Sequence, residues 1–121
     1  MVKIGPEDIE SIKFYDWIVH NKLDSVCFHP PNERKCSIQQ GNILKRKGVK
    51  PGVSDYLFMR PNHRYHGLII ELKIKPNKPS SYQLKFLEDM NREGYLAVIR
   101  WSANECIETV KCYLDTATLH Q

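Results

Sequence analysis

Val53-Ser54-Asp55-Tyr56-Leu57-Phe58-Met59, followed after a short connection by Gly67-Leu68-Ile69-Ile70-Glu71-Leu72-Lys73-Ile74, decides how this chain folds. Both runs are rich in β-branched, aromatic and other apolar residues, and Arg60-Pro61-Asn62-His63-Arg64 between them carries turn residues. The pattern predicts two antiparallel strands. With the connection centred near His63, Asp55 and Glu71 lie equally far from the turn and face each other across the ladder, where opposed β-carbons are roughly 4.5–5.5 Å apart. Side chains alternate along a strand, so Glu71 and Lys73 share one face while Leu72 points to the other. Two carboxylates and an ammonium converge.

Like charges opposed in a sheet destabilise it, and a buried carboxylate is costly unless it is paired or bound to metal. A divalent cation held by Asp55 and Glu71 would answer both costs. Oxygen ligands suit Mg²⁺ or Mn²⁺, and the backbone carbonyl of Leu72 is a further candidate ligand. Lys73 would then position a hydroxide or offset charge on a pentavalent phosphorus. The competing reading is a solvated hairpin face on which Asp55 or Glu71 simply pairs with Lys73. An acid-x-Lys triplet is common by chance, so the residues alone leave both readings open.

Working outward, positive charge flanks both strands. Lys45-Arg46-Lys47-Gly48-Val49-Lys50 precedes the first, and Lys75 and Lys78 follow the second. Such a distribution suits a phosphate backbone, although the formal net charge of +4 is too slight to establish nucleic-acid binding by itself. The plain alternative is a basic loop that aids solubility.

The 121 residues, 41% of them hydrophobic, fit one domain spanning 1–121 with a modest core. A secretion signal, a long apolar segment, a repeat and a low-complexity tract are all missing, so the expectation is a soluble cytoplasmic protein with no membrane partner. Cys27, Cys36, Cys106 and Cys112 show no C-x-x-C spacing and read as reduced structural thiols. Zinc held by His29 or His66 with these cysteines is a minor alternative.

Pro6 opens a helical stretch to about Lys22, with Glu7 and Asp8 in its first turn. Lys13, Asp16 and His20 form its polar stripe, whereas Glu10 falls between Phe14 and Trp17 on the apolar arc. Glu10 either reaches the metal site or lies at the edge of the buried face with its head in water. Val26-Cys27-Phe28-His29 is a candidate short strand and Ser37 to Lys47 a candidate helix closed by Gly48. Ser80-Ser81-Tyr82-Gln83 matches a capping box for a helix ending at Gly94, with Leu84, Phe86, Leu87 and Met90 as its buried face. Tyr95 to Arg100 reads as a strand, and Ser102-Ala103-Asn104-Glu105 as a second capping box for a helix to about Leu114.

Gly52-Val53-Ser54-Asp55, Glu71-Leu72-Lys73, Tyr82-Gln83 opening a helix and Gly94-Tyr95 leading into a strand together resemble, in order and spacing, one family. It is the VRR-NUC (virus-type replication-repair nuclease) family of the PD-(D/E)xK nuclease superfamily, and the likeness spans about residues 7 to 101. The resemblance implies an α/β, restriction-endonuclease-like mixed β-sheet of three to four strands flanked by helices, in the order α-β-β-β-α-β-α. It implies cleavage of DNA phosphodiesters with Mg²⁺ or Mn²⁺ and no small-molecule cofactor. Asp55 and Glu71 match the metal-binding acids, Lys73 the catalytic lysine and Gln83 the glutamine beside the site. Glu10 matches the first-helix acid, with Glu7 one turn earlier as its alternative. Asn32 matches an asparagine of the early loop and joins Lys45, Arg46, Lys47, Lys50, Lys75 and Lys78 as a DNA-binding candidate. Ser54 departs from the proline of the superfamily name, and Gln83 has a competing role in its capping box.

Small single-domain members resemble Holliday-junction resolvases, symmetric dimers matched to a two-fold junction. The expected protein is therefore a homodimeric, metal-dependent endonuclease acting on branched or four-way DNA in replication or repair. The rivals are a catalytically silent DNA-binding module of the same fold and a small interaction protein whose hairpin pairs with another chain.

Overall fold

The computed structural model describes residues 3–31 and 37–115. The described elements are α1 (Pro6–His20), β1 (Cys27–Phe28), α2 (Ile38–Arg46), β2 (Tyr56–Phe58), β3 (Leu68–Leu72), α3 (Ser81–Arg92), β4 (Leu96–Arg100) and α4 (Ala103–Leu114). They build one four-stranded sheet in the order β1-β2-β3-β4, antiparallel from β1 to β3 and parallel between β3 and β4. The expected mixed sheet flanked by helices is present. The element order needs one correction, because the candidate helix after Ser37 does form and inserts α2 between β1 and β2. Its signal was legible: Ser37 Oγ accepts from Gln40 N at 3.1 Å and Gln40 Oε1 accepts from Ser37 N at 3.2 Å, a capping box.

Every residue of β3 is buried. Leu68, Ile70 and Leu72 pack into a core with Phe14 and Ile18 of α1 and Cys106, Val110 and Tyr113 of α4, while Ile69 packs on the other face with Leu87 of α3 and Ala97 of β4. This two-sided cover is why the β3 sequence is a continuous apolar run instead of an alternating one. It also means that Glu71, on the α3 side with Ile69, is enclosed as fully as its neighbours, at 1% exposure. On α3 itself Leu87 is buried and Phe86 and Met90 half-buried, but Leu84 points outward and is not part of the expected apolar face.

The hairpin strands are shorter than the sequence suggests. Pairing runs Tyr56–Ile70, Leu57–Ile69 and Phe58–Leu68, the register expected from a turn near His63. It stops at Tyr56 because the next inward-facing N–H, that of Leu72, is taken at 2.8 Å by the carboxylate Oδ2 of Asp55. Lys73 lies one residue past β3, with its N–H held by the Arg100 carbonyl at 2.9 Å. The helix after Ser102 is also capped differently: Ser102 Oγ accepts from Glu105 N, but the Glu105 carboxylate reaches Trp101 N at 3.0 Å and not its own cap residue.

The loop before β2 turns through Gly52 at φ +85°, and a β-carbon there would lie 2.6 Å from the Tyr82 carbonyl carbon. The loop is thus pressed against the start of α3. Gly52→Ala should lower stability by about 2–4 kcal/mol, from left-handed strain and overlap with main chain together. Chemical denaturation measures this, and a change within a few tenths of a kcal/mol would contradict that packing.

Candidate active site

β3 ends by delivering Glu71 and Lys73, and the residue preceding β2 delivers Asp55. Glu71 and Lys73 form an ion pair, Lys73 Nζ to Glu71 Oε2 at 3.6 Å. Gln83 Nε2 donates to the same Oε2 at 3.0 Å, while Gln83 Oε1 accepts from Ser80 N at 2.7 Å. The two roles foreseen for Gln83 are therefore not alternatives. One end of its amide caps α3 and the other holds Glu71.

Glu71 Oε1 is buried, and no N–H or hydroxyl among the described residues donates to it; the Asp55 carboxyl can bond to it only by sharing a proton. Burial first, then the neighbouring Asp55 charge, pushes the Glu71 carboxyl up to about 8, and Lys73 only partly opposes this. An enclosed carboxylate with one oxygen lacking such a donor, beside a second carboxylate, is a site in search of positive charge. The donors fit a hard divalent cation, since both acids offer oxygen. Leu72 turns its N–H toward Asp55, and in a strand the carbonyl of the same residue faces the same way, so its oxygen is directed to this side too. Among the described residues no group of three or more His, Cys, Asp or Glu side chains clusters as a ready-made cage. A cation here would complete its shell with the carbonyl, water or substrate oxygen, as Mg²⁺ commonly does.

Asp55 opens into a cleft of about 60 Å³ that it shares with Leu72, His29 and, from the first turns of α1, Glu7, Asp8 and Ser11. His29 Nδ1 hydrogen-bonds the Asp55 carbonyl, and Ser11 Oγ pairs with the Tyr56 hydroxyl. Glu10 does not line this cleft. Its Oε1 accepts from Ala103 N at 3.0 Å and its Oε2 pairs with Lys13 at 3.3 Å, so it caps the N-terminus of α4. The bond from Ala103 holds its carboxyl below the usual range. Of the two first-helix acids, it is Glu7, one turn earlier, that lines the cleft, while Glu10 is engaged by α4. Glu7 was legible as the alternative; His29 and Ser11 gave no comparable signal, because what brings them here is contact across the sheet edge.

Of the DNA-binding candidates, Lys45, Arg46, Lys47, Lys50, Lys75 and Lys78 are all exposed, and Lys75 Nζ sits 5.8 Å from the Trp101 ring centre. Asn32 lies outside the described residues. Cys27 and Cys106 are buried free thiols, both pushed up to about 12 by burial, and no described group of three or more His, Cys, Asp or Glu side chains gathers around either. A larger hollow of about 630 Å³ between β4 and α4 is mainly apolar, and its Arg100 guanidinium is spent on Thr109 and the Ile99 carbonyl. Size alone does not make it the reactive site. No described helix is long and apolar enough to cross a membrane.

Sheet, helices and paired acids at one strand end together define a restriction-endonuclease-like α/β domain. Among solved structures, a "VRR_NUC domain protein" superposes with a TM-score of 0.79 at 26% sequence identity, over 93% of this chain and 91% of that one. The resemblance read from the motifs is thus matched by a likeness of the whole chain in three dimensions. No protein-family profile matches the sequence, and no curated protein matches it.

Glu71 binds its proton more tightly folded than unfolded, so the metal-free protein should lose stability as pH rises from about 4.5 through about 8. Glu71→Gln keeps the shape and an oxygen for Gln83, and removes the charge. It should raise the melting temperature by about 4 °C at pH 8, for roughly 1 kcal/mol, and by less at pH 5.5. Thermal melts in EDTA at the two pH values test this; an equal effect at both would mean the buried charge is not the cause.

Proposed function

We propose that this protein is a metal-dependent DNA nuclease whose site is the cluster of Asp55, Glu71, Lys73 and Gln83. The single observation that carries the reading is the enclosed Glu71 carboxylate, with no described N–H or hydroxyl donating to Oε1 and Asp55 beside it, at the end of a strand that also bears Lys73. A purely structural acid would be satisfied or exposed, and a binding module gains nothing from two carboxylates facing a phosphate.

In this reading Asp55, Glu71 and the Leu72 carbonyl would hold Mg²⁺ or Mn²⁺, with Glu7 lining the cleft beside Asp55 from α1. The bound ion would supply Lewis acidity and lower the pKa of water, the usual contribution of metals to phosphodiester hydrolysis. Gln83 fixes the rotamer of Glu71, so the ligand is set before substrate arrives. Lys73, 3.6 Å from Glu71 Oε2, offsets the Glu71 charge once that carboxyl ionises and would stabilise negative charge developing on phosphorus. Lys45, Arg46, Lys47, Lys50, Lys75 and Lys78 position the strand through its phosphates. The substrate is branched or four-way DNA met in replication or repair, cut by a homodimer whose two-fold axis matches that of the junction.

Purified protein should nick or resolve four-way and flap DNA with Mg²⁺ or Mn²⁺, act poorly on single strands and plain duplex, and stop in EDTA. Asp55→Asn and Lys73→Ala should each lower cleavage by about 10²–10³-fold. Unchanged cleavage in either variant would remove that residue from the site. Glu7→Gln should likewise slow cleavage, whereas Glu10→Gln should cost about 1 kcal/mol of stability through its helix cap and leave the rate alone. The reverse result would return the first-helix role to Glu10.

A further inference from the structure

Tyr82 is 63% exposed, yet it directly precedes Gln83, the residue that holds Glu71. A lone exposed aromatic needs no explanation. Tyr82 is different because of what surrounds it. It lines a groove of about 510 Å³ with Lys50, Pro51, Lys85 and Phe86 along the outer face of α3. The loop carrying Lys50 is pressed onto the Tyr82 main chain at Gly52, where no β-carbon fits. The basic loop is thereby held against the residue that carries the ring, one position before Gln83.

Charge in the groove is net positive. Its one acid, Asp89, is claimed by Lys85 at 2.8 Å and by Arg92 at 2.6 Å, which hold its carboxyl below the usual range. Lys50 makes no ion pair with any described residue. The Tyr82 ring likewise stacks on no described aromatic residue. An unstacked ring beside an unpaired ammonium group is the arrangement with which proteins hold single-stranded nucleic acid, the base on the ring and the phosphate on the cation.

We propose that Tyr82 is the stacking platform for an unpaired DNA base, with Lys50 holding the adjoining phosphate, so that the groove selects substrates with a melted or single-stranded segment beside the cut. The inference rests on the nuclease reading and adds to it the feature by which a branch differs from plain duplex. A flat ring cannot stack on bases already paired and enclosed in a helix, so the preference arises from access and not from sequence.

The test measures binding by fluorescence anisotropy at low salt, in EDTA and again with Ca²⁺, using a labelled single strand and its blunt duplex. Wild type is compared with Tyr82→Ala and Tyr82→Phe, and cleavage of a flap with Mg²⁺ is measured on the same preparations. Tyr82→Ala should weaken single-strand binding about tenfold, as loss of one stacked base does. Tyr82→Phe should bind as wild type, and duplex binding should change less than twofold. Unchanged single-strand affinity in Tyr82→Ala, or equal loss on both DNAs, overturns the platform while flap cleavage by wild type leaves the nuclease reading intact. Wild type that binds neither DNA and cuts no flap overturns both.

Discussion

The enclosure of β3 on both faces is the constraint on which the rest of this structure depends. A strand covered by α1 and α4 on one side and by α3 on the other must be apolar throughout, and Leu68–Leu72 obeys this except at Glu71. Placing a carboxylate there costs desolvation that no hydrogen bond fully returns, because no described N–H or hydroxyl donates to one of its oxygens. Compensation is partial. Gln83 holds Oε2 and Lys73 adds a positive charge, while the charge of Asp55 beside it raises the cost.

The same economy explains why the hairpin ladder is short. Asp55 is the residue at which β2 gives up main-chain pairing, and its carboxylate replaces the missing acceptor for Leu72 N–H. One side chain thereby closes the sheet, orients a backbone carbonyl and brings its own charge to Glu71. Glu10 shows the converse. On a helical wheel it resembles a buried acid needing a ligand, but the need is met by the first amide of α4. That bond joins the two helices that cover one face of β3. Ser54, in the position where the superfamily name has proline, is fully buried with its Oγ unpartnered among the described residues. Its surroundings have no use for the hydroxyl.

Local signals with short range survived the passage into three dimensions. The hairpin register needed only a turn centre, and the start of α3 needed only the Ser80–Gln83 pair, so both were legible in the chain. Signals that depend on distant partners did not survive. Leu84 and Glu10 have the right spacing for burial, and what each meets is decided by another element. Glu105 has the spacing of a capping box but bonds one residue further back, because Ser102 begins the helix from a fully extended backbone.

By itself the sequence determined the hairpin, its register, the placing of Asp55 beside Glu71 and the presence of Lys73 on the same face, since strand periodicity and turn position settle all of these. The helix caps and the basic flanks were equally local. Only the tertiary structure decided which first-helix acid lines the cleft, that Gln83 serves cap and site at once, and that Tyr82 shares a groove with Lys50. Those facts arise where α1, α3 and the Gly52 loop meet the end of the sheet, and no spacing along the chain records how helices pack across it.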